Sequence, residues 1–129
     1  MDDDLPTPAE ILATHEEIEK AYDLKHRGAR VAAPRLKIKR LLRDVEQRDE
    51  VYPRAGQLLR DLVTSHFFED GNKRTAWITM REYLDRHGEQ PAETGEGAER
   101  VLRRIRRFDP DEIAAWLETG TIDEDRLEP

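Results

Sequence analysis

Residues 65 to 77, SHFFEDGNKRTAW, place a histidine, two phenylalanines, two acids, a glycine, an asparagine and two cations in thirteen consecutive positions. Those types in that order suit phosphate chemistry. Asn72 reads as the N-cap of a helix, which leaves the amide groups of residues 73 to 75 pointing out of the helix start beside Gly71. A helix start of this kind attracts anions. Lys73 and Arg74 put two cations in the first turn, the unfavourable end of the dipole, at about 0.3–1 kcal/mol each when exposed and unpaired. A bound phosphate chain would offset that cost. Asp70, close to the same phosphates, would be repelled unless a cation bridges them, and Mg²⁺ is the natural bridge because it accepts one or two carboxylates together with phosphate oxygens. His66 closes the preceding helix and is the nearby side chain that titrates near neutrality, hence the general-base candidate. Phe68 is assigned as the anchor that pins the loop and leaves His66 free.

A purely structural reading uses the same residues. Lys73 and Arg74 pair with Glu69 and Asp70 in water, Phe67 and Phe68 fill the core, and His66 is a buried, hydrogen-bonded residue. Charged connections between helices are common, so the residues by themselves favour this blander account. In either case one phenylalanine, Phe68, is expected to be core.

The elements that must position the loop follow from start and stop signals. Thr7, Pro8 and Glu10 form an N-cap, a first-turn proline and a capping box ahead of Ile11, Leu12, His15, Ile18 and Tyr22, a helix that fades by Gly28. Pro34 opens a second helix with Leu36, Leu41, Leu42 and Val45 on one stripe. Pro53 opens a third with Leu58, Leu59, Leu62, Val63 and His66. A fourth runs from about Lys73 to His87, so the thirteen residues form a loop between two helices. Residues 88 to 98 read as a loop, followed by a helix on Val101, Leu102 and Ile105. The last helix opens at the capping box Asp109-Pro110-Asp111-Glu112 and stops at Gly120. No alternating strand pattern of useful length and no repeat is present. The expectation is an all-α, compact bundle of about six helices forming one domain over 1–129, with 1–6 and 122–129 as frayed ends.

Composition narrows the function. The chain has 129 residues, 40% of them charged and 36% hydrophobic, and a net charge of −7. The absence of cysteine excludes disulfides, thiolate metal sites and a cysteine nucleophile. The net acidity makes nucleic acid an unlikely partner. Neither an apolar run of membrane-spanning length nor a signal peptide is visible, so a cytoplasmic protein without membrane contact is expected.

His66-Phe67-Phe68-Glu69-Asp70-Gly71-Asn72-Lys73-Arg74-Thr75-Ala76 resembles the signature of the Fic/Doc superfamily, H-x-F-x-[D/E]-G-N-x-R, and its N-K-R-T-A variant resembles the death-on-curing (Doc) branch. Ile11 to His15 is similar to the apolar stretch ending in histidine near the start of Doc proteins. The glycine pair and Arg-Asp turn of many members are not recognisable in Asp23 to Arg35, where the family's substrate-facing flap lies. The resemblance implies that His66 takes the proton of a target hydroxyl, Asp70 holds Mg²⁺, Gly71 and Asn72 shape a phosphate cradle, and Lys73 and Arg74 neutralise the phosphates of ATP or another NTP. It implies a Doc-like toxin kinase acting on elongation factor Tu and silenced by a small antitoxin protein, with a Fic-type AMP transferase as runner-up. AMP-transferring relatives commonly carry glycine where Lys73 stands and a second arginine where Trp77 stands, and both departures here favour phosphoryl transfer. No [S/T]-x-x-x-E-[G/N] inhibitory helix occurs in this sequence, so restraint is expected from another chain.

Two other features carry weaker signals. His15 lies on an apolar stripe and reads as a structural, hydrogen-bonded histidine. Arg100, Arg103, Arg104, Arg106 and Arg107 read as a solvated face, and they support a second alternative, a non-enzymatic binding module that docks nucleic acid or an acidic partner on residues 100 to 107.

Overall fold

The computed structural model describes residues 5–129 and is all-helical. Six helices follow in order: α1 (Pro8–Tyr22), α2 (Pro34–Glu46), α3 (Val51–Ser65), α4 (Asn72–Arg86), α5 (Glu96–Arg103) and α6 (Pro110–Thr119). Short 3-10 turns span Ile105–Arg107 and Glu124–Leu127. Among the described residues there is no strand, only an isolated antiparallel bridge between Ala29 and Phe68. The expected all-α bundle is thus the observed one.

The helix starts show why these segments fold locally. Thr7 accepts from the Glu10 amide while Glu10 Oε1 accepts from the Thr7 amide at 2.9 Å, and Asp109 and Glu112 repeat the arrangement at α6. Both reciprocal caps satisfy donors that helix geometry leaves open. Helix α1 ends at Tyr22 instead of continuing toward Gly28, because Asp23 turns left-handed at φ 47°. Helix α3 begins two residues before Pro53, which still falls in the first turn, where proline is tolerated. Helix α5 begins at Glu96, inside the expected loop, and buries Ala98, Val101 and Leu102; Ile105 is buried from the following 3-10 turn. Leu36 is not on the core stripe of α2 and is 49% exposed. It precedes Ile38 by two residues, about 200° around the helix, and Ile38, Leu41, Leu42 and Val45 form the buried face.

Helix α3 is the centre of the bundle, packed against α2, α4 and α6, and α1 packs against α2 and α4. Its buried face is Ala55, Gly56, Leu58, Leu59, Leu62 and Val63. At Gly56 the α3 and α6 backbones nearly touch: a Cβ there would lie 2.6 Å from the Ala114 amide nitrogen. Trp116 of α6 is fully buried and donates its indole N–H to Glu93 Oε1 at 2.9 Å.

The ends depart from expectation. Residues 122–129 do not fray. Leu127 is buried, and Arg126 pairs with Glu112 and Asp123 and lies over the Phe108 ring. Arg107 Nη1 donates to the carbonyls of Arg126 and Glu128. An apolar anchor flanked by charged pairs is enough to hold so short a segment. At the other end Leu5 and Pro6 are buried as well, while the fraying expected of residues 1–4 lies outside the described residues.

Replacing Gly56 by Ala forces α3 away from α6 and should destabilise the protein by about 1–3 kcal/mol. Urea denaturation checks this, with Ala115→Ser, on the exposed side of α6, expected to leave the midpoint nearly unchanged.

Candidate active site

The loop between α3 and α4 is fixed by interactions the sequence only partly discloses. His66 caps α3 in the left-handed region, φ 49° and ψ 53°, and its side chain is exposed. The next two residues turn inward. Phe67 and Phe68 are both buried, not Phe68 alone, with ring centroids 6.5 Å apart in an edge arrangement. Phe68 stacks on the His15 ring at 3.6 Å and 8°.

Asn72 is not the N-cap of α4. That position belongs to Gly71, at φ 77° and ψ 14°, and no side chain caps the helix. Asn72 instead reaches back across the loop: its Oδ1 accepts from the Phe68 amide at 3.2 Å and its Nδ2 donates to the Phe68 carbonyl at 2.9 Å. The first intrahelical bond at this end runs from Thr75 N to Gly71 O. An uncapped start leaves the leading amides of α4 available to an anion, one residue earlier than the sequence suggests. Gly71 is required twice over, by its positive φ and because a Cβ would sit 2.9 Å from Leu24 Cδ1 and 3.3 Å from Ile18 Cγ2. Asp70 Oδ1 accepts from the Gly71 amide at 2.8 Å.

His66, Asp70, Gly71, Asn72, Lys73 and Arg74 all line one open cleft of about 880 Å³. Phe68 lies beneath it. Trp77, tilted against Trp116 at 6.1 Å, forms part of the wall. Arg74 lies over the Tyr22 ring at 4.0 Å, and neither it nor Lys73 forms an ion pair with Glu69, Asp70 or any other carboxylate of the described residues. The charge pairing of the structural reading, and its buried His66, are therefore not seen, whereas its placing of both phenylalanines in the core holds. Two cleft cations, Arg30 and Arg81, were not singled out from the sequence. Arg81 was findable, seven residues after Arg74 and so on the same side of α4; Arg30, on an irregular segment, offered no pattern.

A model for the Fic/DOC family matches residues 5–84. The chain belongs to the Fic/DOC family. No curated protein matches it. The Fic/DOC match spans α1 to α4, hence the whole loop and its supports, whereas α5, α6 and both 3-10 turns lie beyond it.

Within the Fic/DOC region, buried His15 ties the loop to its surroundings. Its Nδ1 is 2.9 Å from Thr75 Oγ1, and its Nε2 is 3.3 Å from Glu19 Oε2. Burial lowers its pKa, against the opposing pull of Glu19 and Asp70. The contact with Glu19 lacks hydrogen-bond geometry, so Nε2 is buried beside the carboxylate without a bonded partner, and a proton on Nε2 would leave Nδ1 to accept from the Thr75 hydroxyl. Glu19 Oε2 also accepts from the Gly28 amide at 2.6 Å. Gly28 O in turn accepts from Glu69 N, and Arg30 N donates to Phe67 O. Residues 28–30 are thus laid along the loop by backbone bonds, although they carry none of the family's flap residues.

No group of three or more His, Asp or Glu suited to a metal occurs among the described residues. Asp70 is a single carboxylate beside an uncapped helix start, an arrangement that fits Mg²⁺ held jointly with phosphate oxygens rather than by the protein alone.

The arginine face at residues 100 to 107 is largely consumed within the molecule. Arg100 pairs with Glu124 at 3.5 Å and Arg103 with Glu99 at 2.7 Å. Arg106 donates to Thr64 O, and Arg107 to two C-terminal carbonyls. Arg104 is half-buried. Arg106 nevertheless bears on the site, because the His66 pKa is lowered first by desolvation and then by the charges of Arg106, Arg30 and Lys73. A depressed histidine stays neutral to lower pH than a free one, so the base form is present above about 6.5 and is lost only as pH falls through the lowered value. An NMR titration should place the His66 midpoint below 6.5, and Arg106→Gln should move it upward; an unshifted midpoint in the variant would rule out the arginine's influence.

Proposed function

We propose that this Fic/DOC protein transfers the γ-phosphoryl group of ATP, or another NTP, to a hydroxyl of a protein target. The observation that carries the reading is the meeting, on one cleft, of an exposed imidazole with an uncapped helix start flanked by unpaired cations. His66 accepts the proton of the target hydroxyl as its oxygen bonds to the γ-phosphorus; the bond to the β–γ bridging oxygen breaks, and the nucleoside diphosphate leaves with the electron pair. The leading amides of α4, shaped by Gly71 and Asn72, bind phosphate oxygens, while Lys73 and Arg74 offset their charge. Asp70 would hold Mg²⁺, which supplies charge neutralisation and alignment of the phosphates. Catalysis of this kind is positioning and electrostatics, and Phe68, pinned beneath the cleft, keeps the loop still enough for both.

Lys73 at the helix start and the uncharged Trp77 support a reading in which the γ-phosphate lies next to His66. One observation favours a second reading: Arg81 supplies a cation farther along α4, where a longer phosphate chain could extend, as AMP transfer requires. At the level of biology the reading is a Doc-like toxin of a toxin–antitoxin pair. Elongation factor Tu is its target in the cytoplasm, and a small antitoxin protein restrains it.

Incubation with target and ATP labelled at either the γ or the α position separates the reactions. Label from the γ position supports the kinase, label from the α position alone establishes AMP transfer, and His66→Ala should slow either by about 10²–10⁴-fold. Expression without a partner should slow translation and growth, and His66→Ala should restore both; equal toxicity of the variant would refute the catalytic origin of the effect.

A further inference from the structure

Between residues 24 and 43 the chain carries eight lysines and arginines and no acid, so all 29 acidic residues lie elsewhere. In a protein of net charge −7 this is a sharp local reversal of sign. Folding gathers much of it on one surface. Opposite the buried stripe of α2 stand Leu36, Arg40 and Arg43, with Lys39 and Arg35 leading round its flank, and all five are exposed. Like charges four residues apart repel along a helix. Among the described residues, no ion pair engages a lysine or arginine of α2. The contrast with residues 100 to 107, whose arginines are mostly engaged internally, is direct.

Two further observations indicate what this surface meets. It leads into the cleft, because the segment preceding α2 is bonded along the loop at Gly28 and Arg30, and Arg30 itself lines the cleft with His66. It also has an apolar point, Leu36, 49% exposed; the other exposed large hydrophobic residue of the described chain, Tyr22, stands on the cleft wall. An apolar contact ringed by charge is the anatomy of a protein interface. Residues 23–50 contain no Phe, Tyr or Trp and a single imidazole, His26, on which a nucleic-acid base could stack, and the acidic remainder of the molecule opposes a long polyanion.

We propose that the exposed face of α2, continued by residues 28–30, is the docking surface for an acidic segment of the protein substrate, with an apolar side chain for Leu36, so that a neighbouring hydroxyl reaches His66. The hydroxyl's fate rests on the transferase reading above; the docking does not. It narrows the substrate class to proteins whose modified residue lies close to a run of acids. Charge of this kind also speeds encounter and makes binding sensitive to salt, since the screening length is about 8 Å at physiological ionic strength.

Fluorescence anisotropy of the full chain tests this with three labelled probes: a glutamate-rich peptide containing one serine and leucine at every fourth position, its glutamine-for-glutamate counterpart, and an oligouridylate of equal charge. The acidic peptide should bind, weaken as salt rises, and bind roughly tenfold less well to the triple variant R35Q/K39Q/R43Q. Circular dichroism verifies that the variant is folded. Equal binding by protein and variant overturns the proposal, as does tighter binding of the oligouridylate than of the acidic peptide, which makes the surface a nucleic-acid site. Adding γ-labelled ATP reads the other claim separately: the acidic peptide should be labelled faster than its neutral counterpart and lose that advantage in the triple variant. Labelling of both peptides at equal rates counts against the docking surface, whereas peptide that binds as expected but takes no label from any position of ATP refutes the transferase reading and leaves the docking intact.

Discussion

A histidine with 3% of its surface exposed must be held by its neighbours, and His15, hydrogen-bonded through Nδ1 and 3.3 Å from Glu19 through Nε2, joins four pieces of chain. Its nitrogens engage Thr75 of α4 and Glu19 of α1, its face covers Phe68 of the loop, and Glu19 extends the connection to Gly28. Each partner constrains the ring in a different direction. The loop that bears His66 and Asp70 therefore inherits its position from a residue that contributes nothing to the cleft surface. Asn72 adds a second tie by bonding both backbone groups of Phe68, so the stretch between the two helices is held at its middle from above and below.

The larger frame is hydrophobic and insensitive to detail by comparison. Helix α3 offers six buried positions to its neighbours, and α6 can approach it closely because Gly56 has no side chain. His66 projects from the other end of the same helix. Helix α4, gripped between α1 and α3, presents its free start to the same space. The two chemical features of the cleft thus belong to the ends of two helices that pack against each other, so their separation is set by core packing and not by loop preference.

Much of this was legible in sequence because it depends on periodicity and capping. The six helices follow from apolar spacing, and the boxes at Thr7 and Asp109 from residue types three apart. The motif residues assemble on one cleft because only five residues separate His66 from Asn72. What escaped reading depended on contacts between distant segments. Asn72 has the composition of a cap, yet bonding to Phe68 outcompeted that local role. Leu36 belonged to an apolar list, but its angle around α2 faces water. The C-terminal residues looked polar enough to fray until Leu127 and Arg126 found partners on other elements. Arg106 was placed on a solvated face, and its influence on His66 comes from the three-dimensional return of the chain past α3.

The left-handed conformation of His66 carries one more implication. An L-residue with a Cβ adopts that backbone at a cost of roughly 1–2 kcal/mol, a cost that glycine escapes and asparagine reduces. The chain nevertheless has an imidazole there. At this position foldability and chemistry pull in opposite directions: a residue better suited to the backbone would make a sturdier molecule with no base in its cleft. If His66 is the base proposed above, stability and activity compete for this one position.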